Sequence, residues 1–258
     1  MLDLAIFTAL GWERRAVTAG LSGVAAGDRP RTWLGRLGDG GACLVVQTGM
    51  GPDRARVAAA AVPPARLFLV CGCAGALVDW LRPGDLVAAE RVLTLDRGGG
   101  ASDRLTAGGD AIAALAARRG FRVHLGTVVS TPAVLASAEA KAAARACGAL
   151  VVEMESAGVA AEARARGVPF LAVRVVLDRM GQRIPPALTI IDQATGETPA
   201  RRAVAALALR PWLWPAAGRL ARQTQIADRR LRALMATLLA AGVETLAPVR
   251  QSASAAGS

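Results

Sequence analysis

Residues 151–178, VVEMESAGVAAEARARGVPFLAVRVVLD, constrain the fold more than any other stretch. A short apolar run meets two carboxylates, Glu153 and Glu155, and passes into an alanine-rich segment. Arg164 and Arg166 stand near its end, Gly167 follows, and Pro169 comes just after. Cations at the negative end of a helix dipole, a glycine free to turn left-handed and a proline that forbids continuation mark a helix stop. The valine-rich run beyond, PFLAVRVV, is too short for a typical helix and reads as a buried strand ending at Asp178. The pattern predicts strand–helix–strand, the crossover unit of an α/β fold. Open α/β sheets bind ligands beyond the carboxyl ends of their strands, which sets Glu155 and Asp178 at neighbouring strand ends facing a single pocket. A helix N-terminal acid and a turn-starting aspartate explain the same two residues without any site, and spacing alone does not choose.

The rest of the chain follows the same grammar. Leu2–Thr8 predicts a first buried strand, with Glu13 opening a helix that runs to about Leu21. Glu13 is either a dipole complement or a third acid on the same rim. Arg31–Leu37 and Ala42–Gln47 flank Gly38-Asp39-Gly40-Gly41, a hairpin signal. Thr48-Gly49-Met50-Gly51-Pro52 then leads into a helix over Asp53–Ala61, and such a turn lets backbone N–H groups approach an anion. Arg66–Val70 reads as a strand and Cys71–Leu77 as a small-residue turn against which a ligand can press. Leu86–Leu93 is a strand, Asp96–Thr106 a polar surface loop, Ala107–Arg119 a helix, Phe121–Ser130 a strand and Ser137–Cys147 a helix. After Asp178, Arg179–Ala187 is a loop and candidate lid, Leu188–Asp192 a short strand, and Pro199–Leu209 and Ala216–Leu239 helices. The expected organisation is a catalytic domain over 1–195, a helical extension over 196–245 packed on it, and a disordered tail over 246–258.

Composition narrows the function classes. The chain is 53% hydrophobic with few aromatics, so its core must be aliphatic. Its net charge is +11, almost all from arginine, with Lys141 the only lysine. That charge suits anionic partners, although a coding bias toward arginine and alanine produces it equally. A nucleic-acid role has only the charge behind it, with no helix-turn-helix or aromatic platform. Cys43, Cys71, Cys73 and Cys147 form no Cys-x-x-Cys pair and have only His124 to join them, so no metal site is expected and a reduced, cytoplasmic protein fits. Cys73 has no base beside it and reads as a small hydrophobe rather than a nucleophile. No run reaches the roughly 18 apolar residues that a membrane-spanning helix needs, and the first ten residues lack a basic leader.

Five segments, in order and spacing, resemble the superfamily of purine nucleoside phosphorylases and methylthioadenosine/adenosylhomocysteine nucleosidases. They are Thr48-Gly49-Met50-Gly51, Gly72-Cys73-Ala74-Gly75, Leu81–Val87, Val152-Glu153-Met154-Glu155 and Pro169–Asp178. The resemblance covers about Leu2 to Asp178. It implies a three-layer α/β/α sandwich around a twisted mixed sheet, and cleavage of an N-glycosidic bond through an oxocarbenium-like state. On the matching positions, Asp178 would protonate the purine at N7. Glu155 would hold ribose hydroxyls, with Glu153 beside it and Met154 packing on the sugar. Glu13 would activate water. Val134 and Leu135 would contact the base, and Gly49, Gly72 and Cys73 would line the pocket. Departures from the pattern are Cys73 where the nucleosidases usually carry serine, Leu177 where serine is common, Val134 in place of an aromatic, and the missing early phosphate-binding arginine. Arg14, Arg15, Arg54 and Arg56 cluster near the relevant turns and favour inorganic phosphate as co-substrate, with water through Glu13 as the alternative. No other cofactor is implied.

After Asp178 the chain resembles a narrower group, the hopanoid-associated phosphorylase-like proteins, in its Pro185-Pro186 pair and its later arginine–proline region. That resemblance implies adenosylhopane as substrate, adenine as product and a homo-oligomer. The alternatives are a soluble 5′-substituted adenosine such as methylthioadenosine or adenosylhomocysteine, or a non-catalytic nucleoside- or lipid-binding protein. Trp212 and Trp214, with arginines along Arg201–Leu239, suggest peripheral contact with an anionic membrane at its inner face. Packing of the same segment on protein accounts for the pattern as well.

Overall fold

Strand β5 (Ala65–Ala76) is the axis about which the molecule is built. The computed structural model describes residues 1–95, 101–135, 137–185, 191–197 and 210–246. β5 pairs in parallel with β1 (Leu2–Thr8) and β10 (Phe170–Asp178), and its far end pairs antiparallel with β9 (Val151–Glu153). On one side the sheet continues from β1 through β4 (Ala42–Gln47) and β3 (Thr32–Arg36) to the edge strand β2 (Ser22–Ala26). On the other side β10 pairs antiparallel with β6 (Leu86–Leu95), β6 runs parallel to β8 (Val123–Ser130), and β8 runs parallel to β9. Because β9 returns to β5, strands β5, β10, β6, β8 and β9 close into a ring.

Helices cover both faces, as a mixed sheet buried on two sides requires. On one face α2 (Pro52–Ala61) packs on α5 (Ser156–Ala165), alanine against alanine, with Gly158 set under the Pro52 carbonyl. The other face carries α1 (Gly11–Thr18), α3 (Gly109–Arg118) and the long α6 (Trp214–Ala241), followed by the short α7 (Val243–Leu246). The C-terminal half of α6 buries Ala227, Leu231, Leu234, Met235, Leu238 and Leu239 in the same core as β1, β4, β5 and β10. Each such leucine contributes roughly 1.5–3 kcal/mol by burial. A smaller cluster at the β8–β9 end seats α4 (Ala138–Arg145), whose N-cap Ser137 accepts from the Ala140 N–H at 3.1 Å.

This arrangement corrects four expectations. Cys71–Ala76 is strand, not turn: its small residues keep the ladder to β10 while leaving the surface bare for close approach. β9 and β10 are not neighbours. β5 lies between them, antiparallel to one and parallel to the other, so β9–α5–β10 is no parallel crossover. Ala101–Thr106 of the expected loop forms β7, antiparallel to β6, with Leu105 buried. β2 went unforeseen because all five of its residues are exposed and carry no alternating pattern. The strand expected over Leu188–Asp192 lies mostly outside the described residues, with Asp192 bridging to Glu197. The helix over Pro199–Leu209 lies wholly outside them, as does the tail beyond Leu246; Leu246 itself, expected to open the disordered tail, is buried at the end of α7.

Candidate active site

Glu13 stands third in α1 and turns its carboxylate back over the helix start. Its Oε2 accepts from Leu10 N–H at 2.9 Å and Ala9 N–H at 3.0 Å, half of a capping box. Its Oε1 accepts from Cys73 N–H on β5 at 2.8 Å. The dipole-complement reading and the rim-acid reading are thus both true of one side chain. Gly72 makes the approach possible: a Cβ there would sit 2.7 Å from Glu13 Oε1 and 2.9 Å from Arg174 Nη1. Burial raises the Glu13 pKa, against the backbone donors and the Arg174 charge.

Arg174, on β10 and buried, is the cation of the cluster, and sequence reasoning passed over it as part of a valine-rich strand. It pairs with Glu153, donates to Ser156 Oγ at 2.8 Å and lies 3.7 Å from Glu155. The two oxygens of Glu153 take this pair, the Ser130 hydroxyl, and the N–H groups of Glu155 and Ser156 at the start of α5. Glu153 is therefore the anchor of the α5 N-terminus as well as a cavity residue. Glu155 accepts from Gly51 N–H at 3.2 Å. The glycine turn does present its backbone to an anion, and that anion is the protein's own carboxylate. Three buried carboxylates around one guanidinium leave excess negative charge. Burial first, and then the Glu153 charge, push Glu155 up to about 8.

Asp178, at the end of β10, forms a buried ion pair with Lys141 of α4. Burial raises its pKa and Lys141 opposes the rise. Gly75 lies beneath both, its Cβ position 3.4 Å from each Asp178 oxygen and from Lys141 Cε.

A cavity of about 330 Å³ joins these groups. Of the expected residues, Glu13, Glu155, Asp178, Met154, Glu153, Val134, Leu135 and Cys73 line it. Gly72 and Gly49, expected to line it, are not among its lining residues. Gly49 has φ +77° and no room for a side chain under the Gln193 and Ala194 carbonyls. Arg14, Arg15 and Arg54 are not brought to it. Arg14 packs on the Trp33 ring and donates to Gln47, Arg15 is exposed, and exposed Arg54 borders a separate cavity of about 580 Å³ that holds none of the three acids. Arg56 is exposed on α2. Residues not foreseen at the cavity include Lys141, Met50, Ile184, Ile191, Gln193 and Leu220. A lone lysine in an alanine-rich helix was the one signal available for the first. His124 lies elsewhere, edge-on to Trp80. Burial and the Glu13 charge hold the Cys73 thiol well above its ordinary pKa, so it stays a thiol.

The candidate lid is tied down beside this cavity. Gln182 and Gln223 of α6 exchange side-chain hydrogen bonds at 2.9 and 2.8 Å, and Ile184 and Leu220 add an apolar wall.

Comparison with known proteins bears on the family and the fold. Residues 3–210 match the family described as the phosphorylase superfamily. The futalosine hydrolase of Streptomyces coelicolor is 30% identical over 224 residues, which is 76% of this chain and 94% of that protein. The 5′-methylthioadenosine/S-adenosylhomocysteine nucleosidase of Neisseria meningitidis, solved with methylthio-immucillin-A, superposes with a TM-score of 0.70 at 20% identity, over 93% of this chain and 100% of that one. A futalosine hydrolase mutant of Helicobacter pylori gives 0.61 at 19% identity, over 68% and 89%.

Proposed function

The chain belongs to the phosphorylase superfamily and is an enzyme that cleaves N-glycosidic bonds, and we propose that it hydrolyses a 5′-substituted adenosine to adenine and the free sugar. The observation that carries this reading is the convergence of Glu13, Glu155 and Asp178, from three separate segments, on one cavity over the small-residue floor of β5. Cleavage needs a proton for the departing purine, negative charge near the cationic sugar and a base for the nucleophile. Asp178 takes the first role, at N7. Glu155, whose charge grows as pH rises towards its raised pKa of about 8, takes the second beside the Arg174-paired Glu153 carboxylate. Glu13, fixed by three backbone donors, takes the third, with Met154 against the sugar and Val134 and Leu135 against the base.

Water is the nucleophile in this reading. The arginines that favoured phosphate lie outside the cavity lining, and the only arginine in the cluster is engaged by Glu153 and Glu155. Relatives named as a hydrolase and nucleosidases support the same choice.

The 5′ substituent is proposed to be apolar. Leu177, Ile184, Ile191 and Leu220 give the cavity an aliphatic wall. Six and eight residues before Leu220, Trp214 and Trp212 are 61% and 70% exposed. Adenosylhopane, presented at an anionic membrane surface, fits that combination. A soluble substrate such as methylthioadenosine, adenosylhomocysteine or futalosine is the second reading, favoured by the relatives' names. Adenine release from a panel of these nucleosides, with and without phosphate, tests both levels. We expect equal rates in phosphate-free buffer and free sugar as co-product. A ribose 1-phosphate derivative would overturn hydrolysis, and no adenine from any member would overturn the substrate class.

A further inference from the structure

Lys141 is the only lysine in the chain, and only 1% of its surface is exposed. An ammonium is strongly hydrated and is rarely so deep unless paired. Its partner is Asp178, and it also donates to the Arg179 carbonyl at 3.0 Å. Its stem passes over Gly75, whose Cβ position lies at ordinary contact distance, 3.4 Å, from Cε, and it borders the cavity. Arg179, next to Asp178 in sequence, is exposed, and the other charged groups nearby have partners of their own. On its helix, exposed Glu139 pairs with Arg183 at 2.7 Å and Arg145 with Asp79 at 3.4 Å. Across the cavity, Glu153 and Glu155 face Arg174, Glu13 sits on three backbone N–H groups, and Cys73 is a thiol.

This pairing poses a chemical problem. An ammonium in contact with Asp178 favours the ionised carboxylate, and a carboxylate has no proton to give a departing purine. We propose that Lys141 and Asp178 work as one acid, with the proton stored on the Lys141 ammonium and conveyed through Asp178 to the leaving base. The inference rests on the purine-releasing reading above. As the C1′–N9 bond breaks, its electron pair goes to the purine ring. N7 takes a proton from Asp178, and Asp178 takes one from Lys141, which becomes a neutral amine. After adenine leaves, solvent returns a proton to the pair. Lys141 touches no reacting atom, so it is a positioning and proton-supplying residue. Burial disfavours the charged Asp178 carboxylate and so eases transfer of a proton onto it, while the Lys141 charge opposes that.

The test compares Lys141→Met, Lys141→Arg and Asp178→Asn across pH, with circular dichroism to confirm folding. Wild-type kcat/KM should hold further into the alkaline range than that of Lys141→Met. Lys141→Met should retain activity at acidic pH while its alkaline limb falls by at least about two pH units, because Asp178 alone must then hold the proton. Lys141→Arg keeps the charge but cannot release it, and should lose about 100-fold at every pH. Wild-type turnover and profile in Lys141→Arg, or a wild-type alkaline limb in Lys141→Met, would overturn the proposal and leave Lys141 a counter-ion. If Asp178→Asn is inactive in that case, the purine-acid reading survives; if Asp178→Asn releases adenine normally, that reading fails first. Should the Lys141 variants not fold, lysine labelled with 13C at Cε gives a single resonance in the wild-type protein. Its chemical shift should change in Asp178→Asn, and an unmoved resonance would overturn the coupling.

Discussion

Glu155 binds its proton in the folded protein over a pH range where the unfolded chain gives it up. Its folded pKa of about 8 lies above the ordinary 4.5, so its contribution to stability is full below pH 4.5 and is lost as pH rises through about 8. Glu13 and Asp178 are shifted in the same direction. We therefore expect the wild-type Tm to fall between pH 4.5 and 8, and to fall less steeply in Glu155→Gln; thermal denaturation at a series of pH values measures this. Parallel slopes would show that Glu155 is ionised throughout. Asp178→Asn should lower adenine release by at least about 100-fold, the scale of a lost proton transfer. Its Tm must be followed as well, because Lys141 then faces an amide. Near-normal release would remove Asp178 from the role of acid.

Strand β5 and the α2–α5 pair show how elements are placed by what their residues lack. Gly72 leaves the β5 surface bare, so that Glu13 and Arg174 rest directly on backbone. Gly158 does the same between helices: a Cβ there would lie 2.0 Å from the Pro52 carbonyl oxygen. Gly158→Ala must push α2 from α5 and should cost about 1–3 kcal/mol, lowering Tm by roughly 2–4 °C per kcal/mol in a chain this size. The same displacement shifts Gly51 relative to Glu155, so KM should rise with it. Calorimetry and initial rates read the two effects, and an unchanged Tm would mean that the helices do not approach so closely. Because each of these glycines faces an atom far away in sequence, nothing in its neighbourhood distinguishes it from a turn glycine.

Across the whole molecule, charge and exposed indole meet at one end of α6. The net charge is +11, and among the described residues no helix is long and apolar enough to cross a membrane. The proposed lipid-borne substrate then calls for surface docking. We expect flotation with anionic vesicles at low salt, weakening as salt rises and in Trp212→Ala/Trp214→Ala; protein left wholly in the soluble fraction would count against docking there. By itself the sequence determined which segments are strands and helices wherever local periodicity and helix-stop chemistry were strong, and its resemblance to a known family singled out the three acids, which spacing alone did not. The tertiary structure alone decided the ring closure that puts β5 between β9 and β10, since strand pairing joins residues 75–103 positions apart and leaves no local trace. It also decided which charges are buried. Arg174 and Lys141 look in sequence like any other cations, whereas Arg14, Arg15 and Arg54 looked like site residues. Only packing, by removing water from the first two and leaving the others at the surface or outside the cavity, turned the former into parts of the site.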